Sequence, residues 1–276
     1  MNVRTAFLDL PSGVGLVIAN MVGAGVFLSA GFLAQDLTPR TILLSWLLGA
    51  FLALCGATGY AALAVRLPRS GGEYRLLSDL LHPAVGYLAG WGSLLIGFAA
   101  PMAVDAIAVG SFLGTLFDAP PPAVTGTVLV LLLTAIHGLR LDVSRGSQNL
   151  LVAVKIVGVV TFVVLGLALG RAALPSWTPP NGGGSPVGPF LQSQFWIAFA
   201  FSGWNAAIYV ASEFRDPRRD VPRAMLLGTL VVSVLYLLVN WVLLANLRLE
   251  QLSTVFTSDT NRVTLGHLVA EDLLGP

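Results

Sequence analysis

This sequence predicts an all-α membrane protein with several spans, and three observations carry that prediction. First, 55% of its 276 residues are hydrophobic and only 11% are charged, where a soluble domain carries about 25% charged residues. Mean hydropathy is +0.81, and so few polar side chains do not cover a soluble globule of this size. Second, Leu10 to Gln35, Thr41 to Val65, Phe190 to Ser212 and Ala224 to Leu247 contain no Asp, Glu, Lys or Arg. Each is long enough to cross about 30 Å of hydrocarbon as a helix. Third, runs such as LVVSVLYLLVNWVLLANL lack the every-second-residue alternation of a barrel strand. Helix is then the form that satisfies every backbone polar group inside a bilayer. The same composition excludes a disordered chain and a disulfide scaffold, since Cys55 is the only cysteine. A net charge of +1 gives no electrostatic footprint for nucleic acid.

Taken in order, the spans are expected at about 11–34, 41–65, 84–116, 123–139, 149–170, 190–213 and 223–247, in a single transmembrane domain covering 1–276. Span one is too long for a cleaved signal peptide, and no A-x-A-like site follows it. Span three is apolar apart from Asp105, and span five apart from Lys155. The linkers APPP (119–122) and PSWTPPNGGGSPVGP (175–189) are turn-rich. Asp220, before Pro222, is the expected N-cap of span seven. Residues 248–276 are expected as an external segment.

Orientation follows from the basic residues. With the N-terminus inside, the inner segments hold ten of the fifteen: Arg4, Arg66, Arg69, Arg75, Arg140, Arg145, Arg215, Arg218, Arg219 and Arg223. The outer segments hold four, Arg40, Arg171, Arg248 and Arg262, and Lys155 lies within a span. A cytoplasmic N-terminus in a cell membrane is the expectation, and the short loops suggest a bacterial inner membrane.

Two spans carry breakers at their centres: Gly23-Ala24-Gly25 in span one, and Ser202-Gly203 in span six. Small residues in a span also serve close helix packing. Paired, glycine-interrupted spans at corresponding positions point further, to an inverted-repeat transporter with its site at the breaks.

Four segments carry a family resemblance: ANMVGAGVF ending at Phe27, YAALAVRLPRSGGEY (60–74), GSQNLLVAVK (146–155) and FAFSGWNAAIYVASEFRDPRRDVPRA (199–224). Together they resemble the amino acid–polyamine–organocation (APC) superfamily, and within it the neutral amino acid permeases and exchangers. The fold this implies is the LeuT-like inverted-repeat transporter fold, here the first five-helix repeat plus helices six and seven. The tail NRVTLGHLVAEDLLGP resembles the approach to helix eight of that fold, so the chain is expected to be a fragment or a truncated product. The function implied is secondary active transport of amino acids by alternating access, with protons or a counter-transported amino acid as coupling partner. The alternative is a remnant that binds an amino acid without transporting it, or only packs with a partner chain.

The resemblance also implies roles. An unwound helix offers free N–H groups at the start of its next half and carbonyls at the end of its previous half. The amides of Ala24 and Gly25 would take the substrate carboxylate. The carbonyls of Met21, Phe199, Ala200 and Ser202 would take its ammonium. Phe199 matches the aromatic gate, Asn205 a polar pocket position, and Gly23 and Gly203 the breaks. The family often has Ser where this chain has Ala24, so only the backbone contact remains there. It usually has an acid in the YAxLA run, where Ala62 stands. Lys155 matches the helix-five lysine that stands where sodium sits in sodium-coupled relatives; the competing reading is snorkelling to the interface.

Other residues carry less. Asp105 matches no family motif; a substrate side chain, a proton and Lys155 are its candidate partners, and the competing reading places it near a helix-three break after Pro101, facing water. Trp204 and Cys55 are expected to pack, and His82 and His137 to lie near span ends. No His, Cys or carboxylate pair has metal spacing, so no metal or cofactor is expected. There is no GxSxG and no nucleophile with a matching base, so no catalytic residue is expected, and no ring of pore-lining charge suggests a channel.

Overall fold

A computed structural model describes residues 8–117, 120–139, 141–171, 173–176, 178–179, 185–247 and 265–274. Helices make up most of it. In chain order they are α1 (Leu10–Met21), α2 (Gly25–Leu33), α3 (Pro39–Arg66), α4 (Gly72–Leu80), α5 (Pro83–Gly92), a π-helix (Ser93–Ala99), α6 (Ala100–Leu116), α7 (Pro122–Leu139) and α8 (Leu141–Leu169). Then follow α9 (Val187–Ala200), α10 (Ala206–Tyr209), a 3-10 turn (Ala211–Glu213), α11 (Pro217–Asn246) and α12 (Leu265–Leu274). Among the described residues the only β pairing is an isolated bridge, Leu8 to Phe214.

Among the described residues, four helical stretches are long and apolar enough to cross a membrane: Pro39–Arg66, Pro83–Gly114, Leu150–Leu169 and Pro217–Asn246. The pair Leu10–Met21 and Gly25–Leu33 passes the same test as one broken span. Pro122–Ile136 is apolar but shorter. Residues 248–264 of the expected external segment, and the side chain of His137, lie outside the described residues.

Helix starts follow local chemistry. Asp9 caps α1: its carboxylate accepts from the Ser12 N–H at 3.1 Å and the Ser12 hydroxyl at 2.7 Å, with a proline in the first turn. These bonds hold the Asp9 carboxyl below the usual carboxylate range, the hydroxyl contributing most. The start expected at Asp220 lies earlier. The helix begins at Pro217, and Asp220 sits inside its first turn, its N–H donating to the Asp216 carbonyl at 2.8 Å. Proline suits the first helical position because that N–H lacks an intrahelical partner anyway. Asp220 then acts as an anion near the positive helix end.

The long helices show which faces are buried. In α3 the buried residues Ile42, Trp46, Ala50, Ala53, Ala57, Ala61 and Ala64 recur every three or four positions, one face of a 3.6-residue helix. Leu44, Leu47, Phe51 and Leu52 face outward, as lipid-facing residues do. Cys55 falls off the small-residue stripe and is exposed, which corrects the expectation that it packs.

The chain divides into two compact units. One comprises Met1–Gly23, Leu47–Pro101 and Ala198–Val234; the other comprises Ala24–Trp46, Met102–Ile197 and Leu235–Pro276. In the first, the Gly13 backbone lies against the Phe214 ring, so closely that a Cβ there would be 2.6 Å from it. In the second, Trp46 meets Tyr236 edge-on at 5.6 Å between ring centroids.

Candidate functional site

In the first unit, α1 ends at Met21, and its cap residue Val22 turns to extended backbone (φ −73°, ψ 97°). The span-six segment is interrupted in the same unit. Helix α9 ends at Ala200 and helical structure resumes only at Ala206. Between them Gly203 has φ +101°, a conformation that L side chains rarely adopt. A Cβ on Gly203 would also stand 2.9 Å from the Asn20 backbone carbonyl. The last turn of α1 therefore touches the interruption in span six, and only glycine fits between them.

The first-unit residues singled out from sequence fall around this contact. Met21 and Ala200 are buried, Phe199 and Asn205 half-buried, and Ser202 exposed. The Phe199 carbonyl accepts from the Ser202 N–H at 3.1 Å, and the Gly203 carbonyl from the Ala206 N–H at 3.0 Å. Trp204 packs, as expected: its ring meets Tyr60 edge-on at 4.9 Å and lies over Gly56.

Asn205 brings in a residue that sequence reasoning missed. Its Nδ2 donates to Oε1 of Glu73, and the Tyr209 hydroxyl donates to Oε2. Tyr60 interacts with the same carboxylate. Glu73 reaches this position because α4 starts on two glycines in the left-handed region, Gly71 (φ +126°) and Gly72 (φ +55°). A Cβ on Gly72 would run into the Tyr209 ring. The Gly-Gly-Glu sequence is thus a closely packed turn that aims one carboxylate at α10. The signal was present in PRSGGEY, but nothing in that run says which helix the acid faces.

Neighbouring backbone ties fix the same region. Ser70 N–H donates to the Ser212 hydroxyl at 3.1 Å, Ser212 N–H to the Ser70 hydroxyl at 2.9 Å, and Gly71 N–H to the Tyr209 carbonyl at 3.2 Å. Leu8 and residues 213–215 exchange two further backbone bonds, each 3.0 Å.

In the second unit, Ala24 is the N-cap of α2, and its side chain supplies no cap. Its N–H donates to Oδ1 of Asp105 at 3.3 Å. Lys155, in α8, is close enough for its charge to act on that carboxylate. Gly25 is buried, and its carbonyl accepts from the Ser29 hydroxyl at 2.6 Å. Phe27 packs edge-on against Phe162 of α8 at 5.9 Å, and Phe32 stacks on Trp196 at 4.6 Å. Helix α12 packs on both α2 and α8. Among the described residues no three His, Cys, Asp or Glu side chains gather as a metal site.

The comparisons with known proteins agree on one family. The profile described as "Amino acid permease" matches residues 8–271. The b(0,+)-type amino acid transporter 1 of Mus musculus is 28% identical over 242 residues, covering 84% of this chain and 50% of that protein. The large neutral amino acids transporter small subunit 2 of Homo sapiens is 27% identical over 284 residues, covering 97% and 51%. The serine/threonine exchanger SteT of Bacillus subtilis (strain 168) is 28% identical over 249 residues, covering 89% and 56%. The chain spans about half the length of the curated relatives it matches.

Proposed function

The chain belongs to the amino acid permease family, and from that premise we propose that it serves secondary active transport of amino acids by alternating access. The observation that carries the reading is the pair of interrupted helices. One stops at Met21 and resumes at Gly25; the other stops at Ala200 and resumes at Ala206. Such breaks offer backbone groups to a zwitterion without burying a counter-charge for each of its ends.

The Ala24 and Gly25 amides take the substrate carboxylate, where the positive end of α2 favours an anion. The carbonyls of Met21, Phe199, Ala200 and Ser202 take the ammonium. Phe199 acts as the gate over the bound substrate. Asn205 borders the substrate with its amide, one N–H of which donates to Glu73. A neutral substrate suits the small and apolar residues at the breaks, and agrees with the large neutral amino acids in the name of one relative and the serine and threonine in that of another.

Lys155 serves as the fixed cation in place of a transported sodium ion. An ammonium inside a span is costly without such a role. Protons or a second amino acid complete the coupling. The protein sits in a cell membrane with its N-terminus cytoplasmic.

Uptake into proteoliposomes tests the reading. Saturable, sodium-independent uptake of a neutral amino acid is expected. Lys155→Ala abolishes or uncouples it, and Phe199→Ala raises the half-saturation concentration. Sodium-dependent uptake would overturn the role of Lys155. Binding without uptake would favour the non-transporting remnant, and unsaturable ion current a channel. A proton gradient separates symport from exchange, since only symport responds to it with no amino acid inside.

A further inference from the structure

Asp105 is an acid in an apolar span that the transport reading leaves without a task. Its carboxylate is seated on the Ala24 N–H, at the break itself. Each group has a reason to be there. A carboxylate inside a span is expensive unless it finds a donor or a cation. The N–H groups at a helix start lack intrahelical partners, and α2 has no side-chain cap of its own. Lys155 acts on the same carboxylate from α8, which leaves Asp105 a counter-charge when the amide is taken by something else.

We propose that Asp105 is a positioning residue: it holds the Ala24 amide while the site is empty, and a substrate carboxylate binds by displacing it toward Lys155. This rests on the assignment of Ala24 to the substrate carboxylate. One N–H has one hydrogen to give, and two carboxylates converging on it repel each other. Occupation by Asp105 and by substrate therefore exclude one another. A tethered carboxylate competes at high effective concentration, so Asp105 lowers the apparent affinity for every ligand that brings a carboxylate. It leaves ligands without one untouched. The break stays satisfied between transport cycles, and its opening is tied to arrival of the group the site recognises.

Equilibrium binding to the purified protein tests this, with L-leucine and L-serine as carboxylate ligands and isopentylamine and ethanolamine as their counterparts without one. Asp105→Ala is expected to tighten amino acid binding about tenfold, the scale of one charge-assisted hydrogen bond. Asp105→Asn tightens it less, because its amide oxygen still accepts. Amine binding is unchanged in both. Amino acid affinity that is unchanged or weaker in both variants, at wild-type melting temperature, overturns the proposal. A purely structural role for Asp105 would weaken amines and amino acids alike. Asp105→Asn is nearly isosteric and keeps the test available if the alanine variant does not fold. If the Asp105→Ala variant, which lacks the competing carboxylate, binds amines and amino acids equally well, the assignment of Ala24 to the substrate carboxylate fails, and the proposal falls with it.

Discussion

Glu73 accepts hydrogen bonds from Asn205, the last residue of the span-six interruption, and from Tyr209 in α10. Removing the carboxylate strands half-buried polar groups, which costs about 1–3 kcal/mol for a group left unsatisfied. Glu73→Ala is therefore expected to lower the melting temperature measurably, and Glu73→Gln to lower it less. An unchanged melting temperature for Glu73→Ala would show that water or other groups replace the acid. Asp9 makes a pH-dependent contribution. Its folded-state carboxyl is held below the ordinary range by Ser12. Its stabilisation is thus present above the ordinary carboxylate pKa, about 3.9, and fades as pH falls through the lower folded value. Melting temperatures of wild type and Asp9→Asn should converge on acidification below about pH 4; a constant difference would refute that assignment. At this scale the sequence named Lys155, Asp105 and the glycines, because charges and breakers stand out inside apolar runs. It did not name the partners, since Asn205 and Glu73 are 132 positions apart and no local pattern joins them.

The interruption of span six rests on one residue. Gly203 needs both its positive φ and its missing side chain, because a Cβ would meet the Asn20 backbone, which has nowhere to rotate. Gly203→Ala should cost about 1–3 kcal/mol in backbone strain alone, with a further loss from the displaced α1 end. The check is the melting temperature together with ligand binding; retention of both would mean that the two segments separate without consequence. Helix starts show how far local reading extends. Asp220 before Pro222 was a reasonable cap by sequence pattern, yet Pro217 opens the helix, since both prolines satisfy the rule and the earlier one prevails. The buried stripe of α3 was hidden for a related reason. Both faces of a membrane helix are apolar, so hydropathy alone does not separate Ala53, which is buried, from Phe51, which is exposed.

For the whole molecule, the distribution of basic residues yields a direct prediction. In a Cys55→Ala background, a cysteine at exposed Arg69 should react with a membrane-impermeant maleimide only from the cytoplasmic side, and one at exposed Pro121 only from outside. The reverse pattern would invert the proposed orientation. Composition and hydropathy were enough for the all-α class, the resemblance of four segments for the family, and the placement of glycine for the locations of the breaks. Each of these is a property of consecutive residues, and the bilayer narrows the backbone to helix wherever the chain is apolar. Folding settled what those residues meet: Asn20 against Gly203, Glu73 under Asn205 and Tyr209, and Asp105 on the Ala24 amide. Those contacts join distant segments, and they arise because polar groups held away from water take whichever partner the packed helices bring within reach.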